Sequence, residues 1–318
     1  MRRSEKQATI VRVTTRRSHT AGPSSRITPL SPAAAPDRKP RDDEIDVYGL
    51  THPGKVRRTN QDHFLIGSLR KHMQVLLTSL PSMNAPTGDV GRLAFLAMVA
   101  DGVGGTGGGE EASRLAVEAI TEYVTQAAHC YYLSDPTDEQ AFARELEAAA
   151  IQVHTDILQR RAADPDLARM ATTLTMWIGV WPRFYILQVG DSRCYLLRDG
   201  RLIQLSRDQT LAQDLVDRGV FRRSEAVRTP LANVLSSALG GPESAPVVTS
   251  MLNDWNNVGL LCSDGLTKHV PDERIRERLR SMTSAKSACE NLLQDALDAG
   301  GTDNITVIVG RMVRKDVA

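Results

Sequence analysis

Short apolar runs, separated by polar and glycine-containing segments, follow one another along the chain from about residue 46 onward. Runs of this length, bounded by turn residues, predict strands that are buried on one or both faces. The predicted strands cover residues 93–100, 173–180, 184–189, 258–262 and 305–309. Residues 196–203 place Asp199 and Gly200 between two apolar arms, a pattern typical of a tight hairpin, so part of the sheet is expected to be antiparallel.

Two longer segments carry apolar residues at every third or fourth position. They cover residues 112–123 and 142–157 and predict two consecutive amphipathic helices. A shorter helix is predicted over residues 211–218, and it should end at Gly219 because glycine readily adopts the left-handed conformation that closes many helices. Strands, two adjacent helices and further strands together favour the α+β class.

Residues 1–44 differ in composition from the rest of the chain. They contain no aromatic residue and five of the fifteen prolines, so they cannot bury enough apolar surface to offset the entropy of ordering. We predict a disordered basic tail over 1–44 and one folded domain over 45–314. Residues 1–40 hold nine Lys or Arg and two Asp or Glu, while the whole chain has a net charge of +1, so the remainder is mildly acidic and nucleic-acid binding is not expected.

The apolar runs and the cysteines indicate the compartment. The longest strongly apolar run, 93–100, is far shorter than the roughly 20 residues that a membrane-spanning helix needs, so no membrane span is predicted. The four cysteines are widely spaced and lack the Cys-x-x-Cys pattern of zinc and redox sites. A reducing compartment suits such cysteines, and a cytoplasmic location is therefore expected.

The glycine-rich segment 101–107 fits G-x-G-x-x-G after a predicted strand, which raises the possibility of dinucleotide binding. The context argues against it, because a second helix follows the first instead of an acid-bearing strand. No lysine follows the glycines, which excludes a P-loop. No cysteine is followed by Arg six positions later and no histidines show zinc spacing, so a cysteine phosphatase and a zinc site are both disfavoured.

Aspartates recur at the turns where predicted strands end. They are Asp101, Asp191, Asp264 and Asp303. One aspartate in such a turn is ordinary, but four would place several carboxylates at one edge of the sheet. Clustered carboxylates repel one another unless cations neutralise them, and oxygen ligands suit Mg²⁺ or Mn²⁺. Two such ions can activate a water and clamp a phosphoryl group.

Six segments, in order, resemble the motifs of the metal-dependent Ser/Thr protein phosphatases of the 2C type in their compact bacterial form. They are residues 56–62, 101–105, 171–174, 190–193, 262–266 and 302–306. One such segment alone would be weak support, but six in the family's order are highly specific. The resemblance implies an α/β/β/α four-layer sandwich with two central antiparallel β-sheets flanked by helix pairs, and a catalytic domain over 45–314.

The resemblance also implies which residues hold metal ions. Asp101, Asp264 and Asp303 would hold the first ion, and Asp101 with the carbonyl group of Gly102 would hold the second. Asp191 with Asp264 would match a third site described for bacterial members. The expected cofactors are two or three Mn²⁺ or Mg²⁺ ions.

Arg57 and Asp62 are the catalytic residues that the resemblance implies. The guanidinium of Arg57 would bind two phosphate oxygens at once, and Asp62 would hold metal-bound waters. Gln61 and Val103 depart from animal members, which carry Glu and His there, so we expect weaker binding of the second metal and a different source for the leaving-group proton. His63 is one candidate for that source, and the alternative is a packed, hydrogen-bonding residue.

Residues 207–239 correspond to the flap, the variable segment beside the cleft in this family. Four arginines, Arg218, Arg222, Arg223 and Arg228, give it a basic character. That character suits acidic phosphopeptides or a phosphorylated loop, or it is simply a solvated charged face. Gly219 would let the flap pivot.

The activity implied is hydrolysis of phosphoserine and phosphothreonine by a metal-activated water in a di- or tri-metal centre, without a phosphoenzyme. The partners would be phosphorylated proteins, either a Ser/Thr protein kinase that the enzyme opposes or the substrates of that kinase. Two alternatives remain open: a non-catalytic scaffold that binds a phosphorylated partner, and a phosphohydrolase of nucleotides or nucleic acid. The presence of the aspartates expected to bind metal argues against the first. The second is disfavoured because the chain after residue 40 is mildly acidic and has no aromatic stacking platform near the motifs.

Overall fold

The computed structural model describes residues 38–70, 73–79, 92–104, 108–133 and 139–315. Its strands are β1 (Ile45–His52), β2 (Asp62–Leu69), β3 (Met73–Thr78), β4 (Ala94–Val103), β5 (Ala171–Thr172), β6 (Leu174–Val180), β7 (Arg183–Val189), β8 (Arg193–Arg198), β9 (Arg201–Gln204), β10 (Val247–Leu252), β11 (Val258–Cys262) and β12 (Ile305–Met312). Its α-helices are α1 (Gly108–Leu133), α2 (Glu139–Ala163), α3 (Leu211–Asp217), α4 (Arg223–Ala226), α5 (Asp264–Thr267), α6 (Asp272–Arg280) and α7 (Ala285–Asp298). Each predicted strand and helix is present.

The strands form two antiparallel sheets. One has five strands in the order β1-β12-β11-β8-β9, and the other follows the path β10-β7-β6-β4-β2-β3 with β5 paired to β4. Strand β4 continues past its predicted end at residue 100, so Asp101 and Gly102 belong to the strand and not to a turn. The strand is longer because Asp101 pairs with Asp62 of β2, and Gly102 pairs with Thr172 of β5.

Three apolar cores separate four layers. Successive strand residues point to opposite faces, so Leu65 packs in the core shared with α1 and α2, whereas Phe64 packs between the two sheets. In the other sheet, Ile308 packs between the sheets and Val307 packs in the core shared with α6 and α7. The predicted α/β/β/α sandwich is thereby confirmed.

Two predicted turn features are present. The hairpin between β8 and β9 turns at Asp199 and Gly200, with φ angles of 50° and 74°, because a two-residue turn of this hand needs left-handed backbone at both positions. In the flap, Thr210 caps α3 by accepting a hydrogen bond from the backbone N–H of Gln213 (3.2 Å). Gly219, with φ of +72°, follows that helix as predicted.

Residues 1–37 of the predicted tail lie outside the described residues. Residues 38–44 are described and contact the folded domain: the carbonyl oxygen of Glu44 accepts a hydrogen bond from the backbone N–H of Val313 (2.8 Å), and its buried carboxylate accepts from Arg38 (2.6 and 2.7 Å). Contacts with the domain therefore begin before residue 45. Within the described ranges, no helix has both the length and the apolar character needed to cross a membrane.

Candidate active site

The ends of several strands meet at one cleft of about 830 Å³. Six of the seven predicted site residues line it: Arg57, Asp101, Gly102, Asp191, Asp264 and Asp303. The seventh, Asp62, lies at the start of β2 and is only 2% exposed. The fold thus brings together carboxylates that are far apart in the sequence.

The threonines that follow α2 fix the backbone of Asp101. The backbone N–H of Asp101 donates to Oγ1 of Thr173 (3.0 Å), and Oγ1 of Thr172 donates to the carbonyl oxygen of Asp101 (2.9 Å). The hydroxyls of Thr173 and Ser192 lie 2.8 Å apart, so the same buried threonine also ties Asp101 to the loop that carries Asp191. These bonds give the segment 171–174, one of the six motif-like segments, a role in positioning Asp101.

Asn304 connects the loop that carries Arg57 to the segment that carries Asp303. Its side-chain oxygen accepts from the backbone N–H of Gln61 (2.9 Å), and its Nδ2 donates to the carbonyl oxygens of Pro53 (3.0 Å) and Thr59 (2.9 Å). One amide therefore holds both ends of the loop, because it uses its acceptor and both donors.

Gly265 allows the segments of Asp264 and Asp303 to approach each other. A Cβ atom at position 265 would lie 1.9 Å from the carbonyl oxygen of Asn304, so no other residue fits without a backbone shift. Gly102 is similarly enclosed, since a Cβ there would lie 2.2 Å from the carbonyl oxygen of Gly109.

Asp62 is buried between the two sheets. Its Oδ2 accepts a hydrogen bond from Oγ1 of Thr306 on β12 (2.7 Å), so the contact joins the sheets. Its Oδ1 is buried with no hydrogen-bond partner in the described part of the chain. Burial raises the pKa of Asp62 to about 7, against the effect of that hydrogen bond.

Three further carboxyl groups are perturbed by burial and by one another. Burial, together with the charges of Asp62 and Asp264, raises the pKa of Asp101 well above its usual range. Burial and the charge of Asp264 raise the pKa of Asp191 to about 8. The pKa of Asp264 is also raised by burial. Such carboxyl groups gain from a nearby cation that favours their charged forms.

Asp303 behaves differently because two basic side chains contact it. Nε and Nη2 of Arg57 donate to its two carboxylate oxygens (2.8 and 3.1 Å), and Nζ of Lys268 donates to Oδ2 (2.8 Å). Burial opposes ionisation of Asp303, but these hydrogen bonds outweigh it and lower its pKa.

His63 does not line the cleft. Its Nδ1 lies 2.9 Å from the hydroxyl of Ser113 on α1, its side chain is buried, and burial lowers its pKa to about 4. The geometry agrees with a packed, neutral histidine and gives it no route to a leaving group. Val103 lines the cleft and is 41% exposed, so it contributes an apolar surface there.

The cleft offers carboxylate oxygens as donors for divalent metal ions. Among the described residues, no three His, Cys, Asp or Glu side chains stand close enough together to hold an ion by themselves. The oxygen donors and the unpartnered Oδ1 of Asp62 nevertheless suit hard cations, and Mg²⁺ and Mn²⁺ commonly keep waters beside one or two carboxylates. The residues therefore fit such ions, with water completing the coordination.

Solved structures share this fold. The crystal structure of the Mycobacterium tuberculosis serine/threonine phosphatase PstP/Ppp has a TM-score of 0.67 and 31% identity, over 85% of this chain and 99% of that chain. A structure of the PstP catalytic domain in complex with two manganese ions has a TM-score of 0.64 at the same identity and coverage. These matches place the fold of this chain with that of serine/threonine phosphatases.

Sequence comparison gives the family. Residues 87–299 match the profile of protein phosphatase 2C. The serine/threonine protein phosphatase PstP of M. tuberculosis is 38% identical over 223 residues, which are 70% of this chain and 41% of the length of PstP. The serine/threonine phosphatase stp of Listeria welshimeri is 32% identical over 215 residues, 67% of this chain and 83% of stp. This chain belongs to the protein phosphatase 2C family.

The sequence analysis did not identify Lys268 or Asn304 as site residues. Lys268 lies four residues after Asp264, and this helical spacing places both side chains on one face, so a signal was available. Asn304 lies next to Asp303, but its contacts with the loop at residues 53–61 depend on the folded arrangement and have no local signature.

Proposed function

We propose that this chain is a metal-dependent protein phosphatase that hydrolyses phosphoserine and phosphothreonine. The observation that carries the proposal is the convergence of four aspartates from separate segments on one cleft that also contains an arginine. Membership of the protein phosphatase 2C family supports it, as do the names of the relatives PstP and stp, which are serine/threonine phosphatases.

The proposed cofactors are two or three Mn²⁺ or Mg²⁺ ions. Asp101, Asp264 and Asp303 would hold the first, Asp101 and the carbonyl group of Gly102 the second, and Asp191 with Asp264 the third. When bound, such ions would activate a water as the nucleophile and neutralise charge on the phosphate. The all-oxygen donor set supports this assignment, and so does the presence of two manganese ions in the PstP structure.

Arg57 and Asp62 are the proposed catalytic side chains. The side chain of Arg57 is 55% exposed at the cleft and already binds a carboxylate through two nitrogens, and a phosphate offers oxygens at similar spacing. Arg57 would therefore orient the phosphoryl group for in-line attack. Asp62 would hold a water through its unpartnered Oδ1, while Thr306 fixes its other oxygen.

The proposed substrates are phosphorylated proteins, including a Ser/Thr protein kinase or the targets of that kinase. A cytoplasmic location is proposed with them. Three cysteines with described side chains, Cys194, Cys262 and Cys289, are buried free thiols, which agrees with a reducing compartment.

The test is release of phosphate from a phosphothreonine peptide, beside a phosphotyrosine peptide of the same sequence, with Mn²⁺ or with EDTA. We expect Mn²⁺-dependent turnover that favours phosphothreonine and falls by about 100-fold or more in Asp264→Asn. Asp298→Asn, at an exposed aspartate on α7, is the matched control and should retain activity. Turnover that persists in EDTA, or full activity of Asp264→Asn, would contradict the proposal.

A further inference from the structure

Lys268 lies directly after α5, where it caps the helix that Asp264 begins. Its ammonium group contacts two of the predicted metal ligands: Nζ lies 2.6 Å from Oδ2 of Asp264 and 2.8 Å from Oδ2 of Asp303. Asp264 follows β11 and Asp303 precedes β12, so the lysine connects two separate segments of the cleft.

This arrangement differs from an ordinary ion pair on a helix surface. Lys286 and Glu290 on α7 show the ordinary kind: they are four residues apart, 3.8 Å apart, and 62% and 56% exposed. The side chain of Lys268 is 31% exposed and both of its acidic partners are 19% exposed. A partly buried cation between two carboxylates is screened less by water than a surface pair is.

The charges around the cleft explain why a cation is held there. Asp101, Asp191, Asp264 and Asp303 face the same cleft, and Asp62 lies close enough to Asp101 to disfavour its ionisation. Neighbouring like charges resist ionisation together, so a positive group that contacts two of them has a large effect. Arg57 also contacts Asp303, but Lys268 contacts both Asp264 and Asp303. The charge of Lys268 acts on Asp191 as well as on its two direct partners.

We propose that Lys268 is a resident cation of the metal centre, which occupies the position between Asp264 and Asp303 and must be displaced before a divalent ion binds this pair. The inference rests on the proposed metal-dependent function. Only molecules in which Lys268 is displaced can bind the ion at this pair. The apparent association constant is therefore the intrinsic constant multiplied by the fraction of such molecules.

Two other roles give different expectations. A lysine that only stabilises the fold would affect the melting temperature but not metal affinity. A lysine that only contacts the substrate phosphate would affect KM and inhibition by inorganic phosphate, again without changing metal affinity. Metal binding by the substrate-free protein therefore separates the three roles.

The first experiment is calorimetric titration of the metal-free, full-length protein with Mn²⁺. Lys268→Met keeps an unbranched side chain only one atom shorter and removes the charge, and it should bind Mn²⁺ about 10-fold more tightly, or bind an additional ion. Lys268→Arg keeps a positive charge and should stay within about threefold of the wild type. Lys286→Met is the matched control and should not change the isotherm.

The outcomes distinguish this inference from the proposed function. Unchanged or weaker Mn²⁺ binding by Lys268→Met, in a protein whose wild type binds Mn²⁺ and hydrolyses phosphothreonine, would overturn the role of Lys268 and leave the phosphatase proposal intact. Absence of both Mn²⁺ binding and turnover in the wild type and in Lys268→Met would overturn both.

A second measurement on the wild type avoids any effect of substitution on folding. An amine-acylating reagent followed by mass spectrometry reports how accessible each lysine is, and Lys286 in the same sample serves as the reference. Displacement by the metal predicts that saturating Mn²⁺ raises acylation of Lys268 at least threefold relative to Lys286. Equal acylation with and without Mn²⁺ would contradict the proposal.

Discussion

At the scale of single residues, neighbouring acids in the cleft have opposite ionisation tendencies. Burial raises the pKa of Asp62 to about 7, whereas hydrogen bonds from Arg57 and Lys268 outweigh burial and lower the pKa of Asp303. The difference comes from partners, because Asp62 accepts from the neutral hydroxyl of Thr306 and Asp303 accepts from two cations. Residue type alone does not reveal which carboxyl group is charged.

This difference predicts how the stability of the metal-free protein depends on pH. The folded-state pKa values of Asp62 and Asp191, about 7 and about 8, lie above the value of 3.8 expected when the chain is unfolded. The folded state therefore holds protons that the unfolded state releases. Stability from these two groups is fully present below about pH 4 and is lost as the pH rises through 7 and 8.

The measurement is urea unfolding in EDTA at pH 5 and pH 8. The free energy of unfolding should fall by about 2 kcal/mol or more between the two, on the scale of 1.4 kcal/mol per pKa unit. The double variant Asp62→Asn, Asp191→Asn should show a smaller difference, because amides do not titrate, whereas Asp101 and Asp264 still contribute. An unchanged difference in the double variant would show that other groups are responsible.

Arg57 gives a second prediction at this scale. Arg57→Ala should raise KM for a small phosphomonoester by about 10-fold or more at saturating Mn²⁺, because two charge-assisted hydrogen bonds to the phosphate are lost. Arg58→Ala removes the neighbouring exposed arginine and should change KM less than twofold. Steady-state kinetics of the two variants is the measurement. An equal rise in KM for both variants would contradict the role of Arg57 in binding the phosphate.

At the scale of secondary-structure elements, the sequence predicted the interior strands except β2, the first two long helices and the hairpin turn. These follow from apolar runs, helical spacing and Asp-Gly chemistry, all of which are local. Helices α6 and α7 were not predicted from their own pattern, although Ala285, Ala288, Cys289, Leu292 and Ala296 of α7 are buried at helical spacing. Ile275 and Leu279 of α6 are also buried four residues apart, so both helices carry an amphipathic pattern that the prediction did not use.

The flap, residues 207–239, is the element for which we predict a role in binding peptide substrates. Arg222, Arg223 and Arg228 are exposed on the flap, and other residues of the flap, among them Arg218, line the cleft. The three exposed arginines would attract acidic peptides. Their triple substitution by alanine should lower kcat/KM for an acidic phosphopeptide by about 10-fold at low salt, and less at high salt, because salt screens exposed charges.

The same triple variant should hydrolyse p-nitrophenyl phosphate as the wild type does, since none of the three arginines lines the cleft that would hold this small substrate. The matched control replaces three exposed arginines elsewhere, Arg144, Arg201 and Arg280. An equal loss for both substrates, or an equal loss in the control, would mean that the flap arginines do not select the peptide.

At the scale of the whole molecule, the candidate site is a meeting point of segments from both sheets. The recurrence of Asp at strand ends predicted the acids, because strand ends meet at a sheet edge. The cationic partners were not predictable in the same way, since Arg57 and Lys268 meet Asp303 from segments 246 and 35 positions away. Only the packed sandwich fixes those distances.

The contact between Asp62 and Thr306 predicts a property of the whole fold. Thr306→Val removes a buried hydroxyl that joins the sheets, so it should lower the free energy of unfolding by about 1–3 kcal/mol in urea. Thr249→Val, at an exposed position on β10, is the matched control and should change it by less than about 0.5 kcal/mol. Similar values for the two variants would argue against a buried link between the sheets.

The hydrogen atom that Gly265 carries in place of a side chain sets the spacing between the segments of Asp264 and Asp303. Even a methyl group there would meet the carbonyl oxygen of Asn304 at 1.9 Å and force the two segments apart. The replacement would remove no charge, no donor and no acceptor. In evolutionary terms, a descendant could therefore retain every acid of the centre and still lose the centre through a substitution of this one glycine. Counting the acids in its sequence would then overestimate its activity.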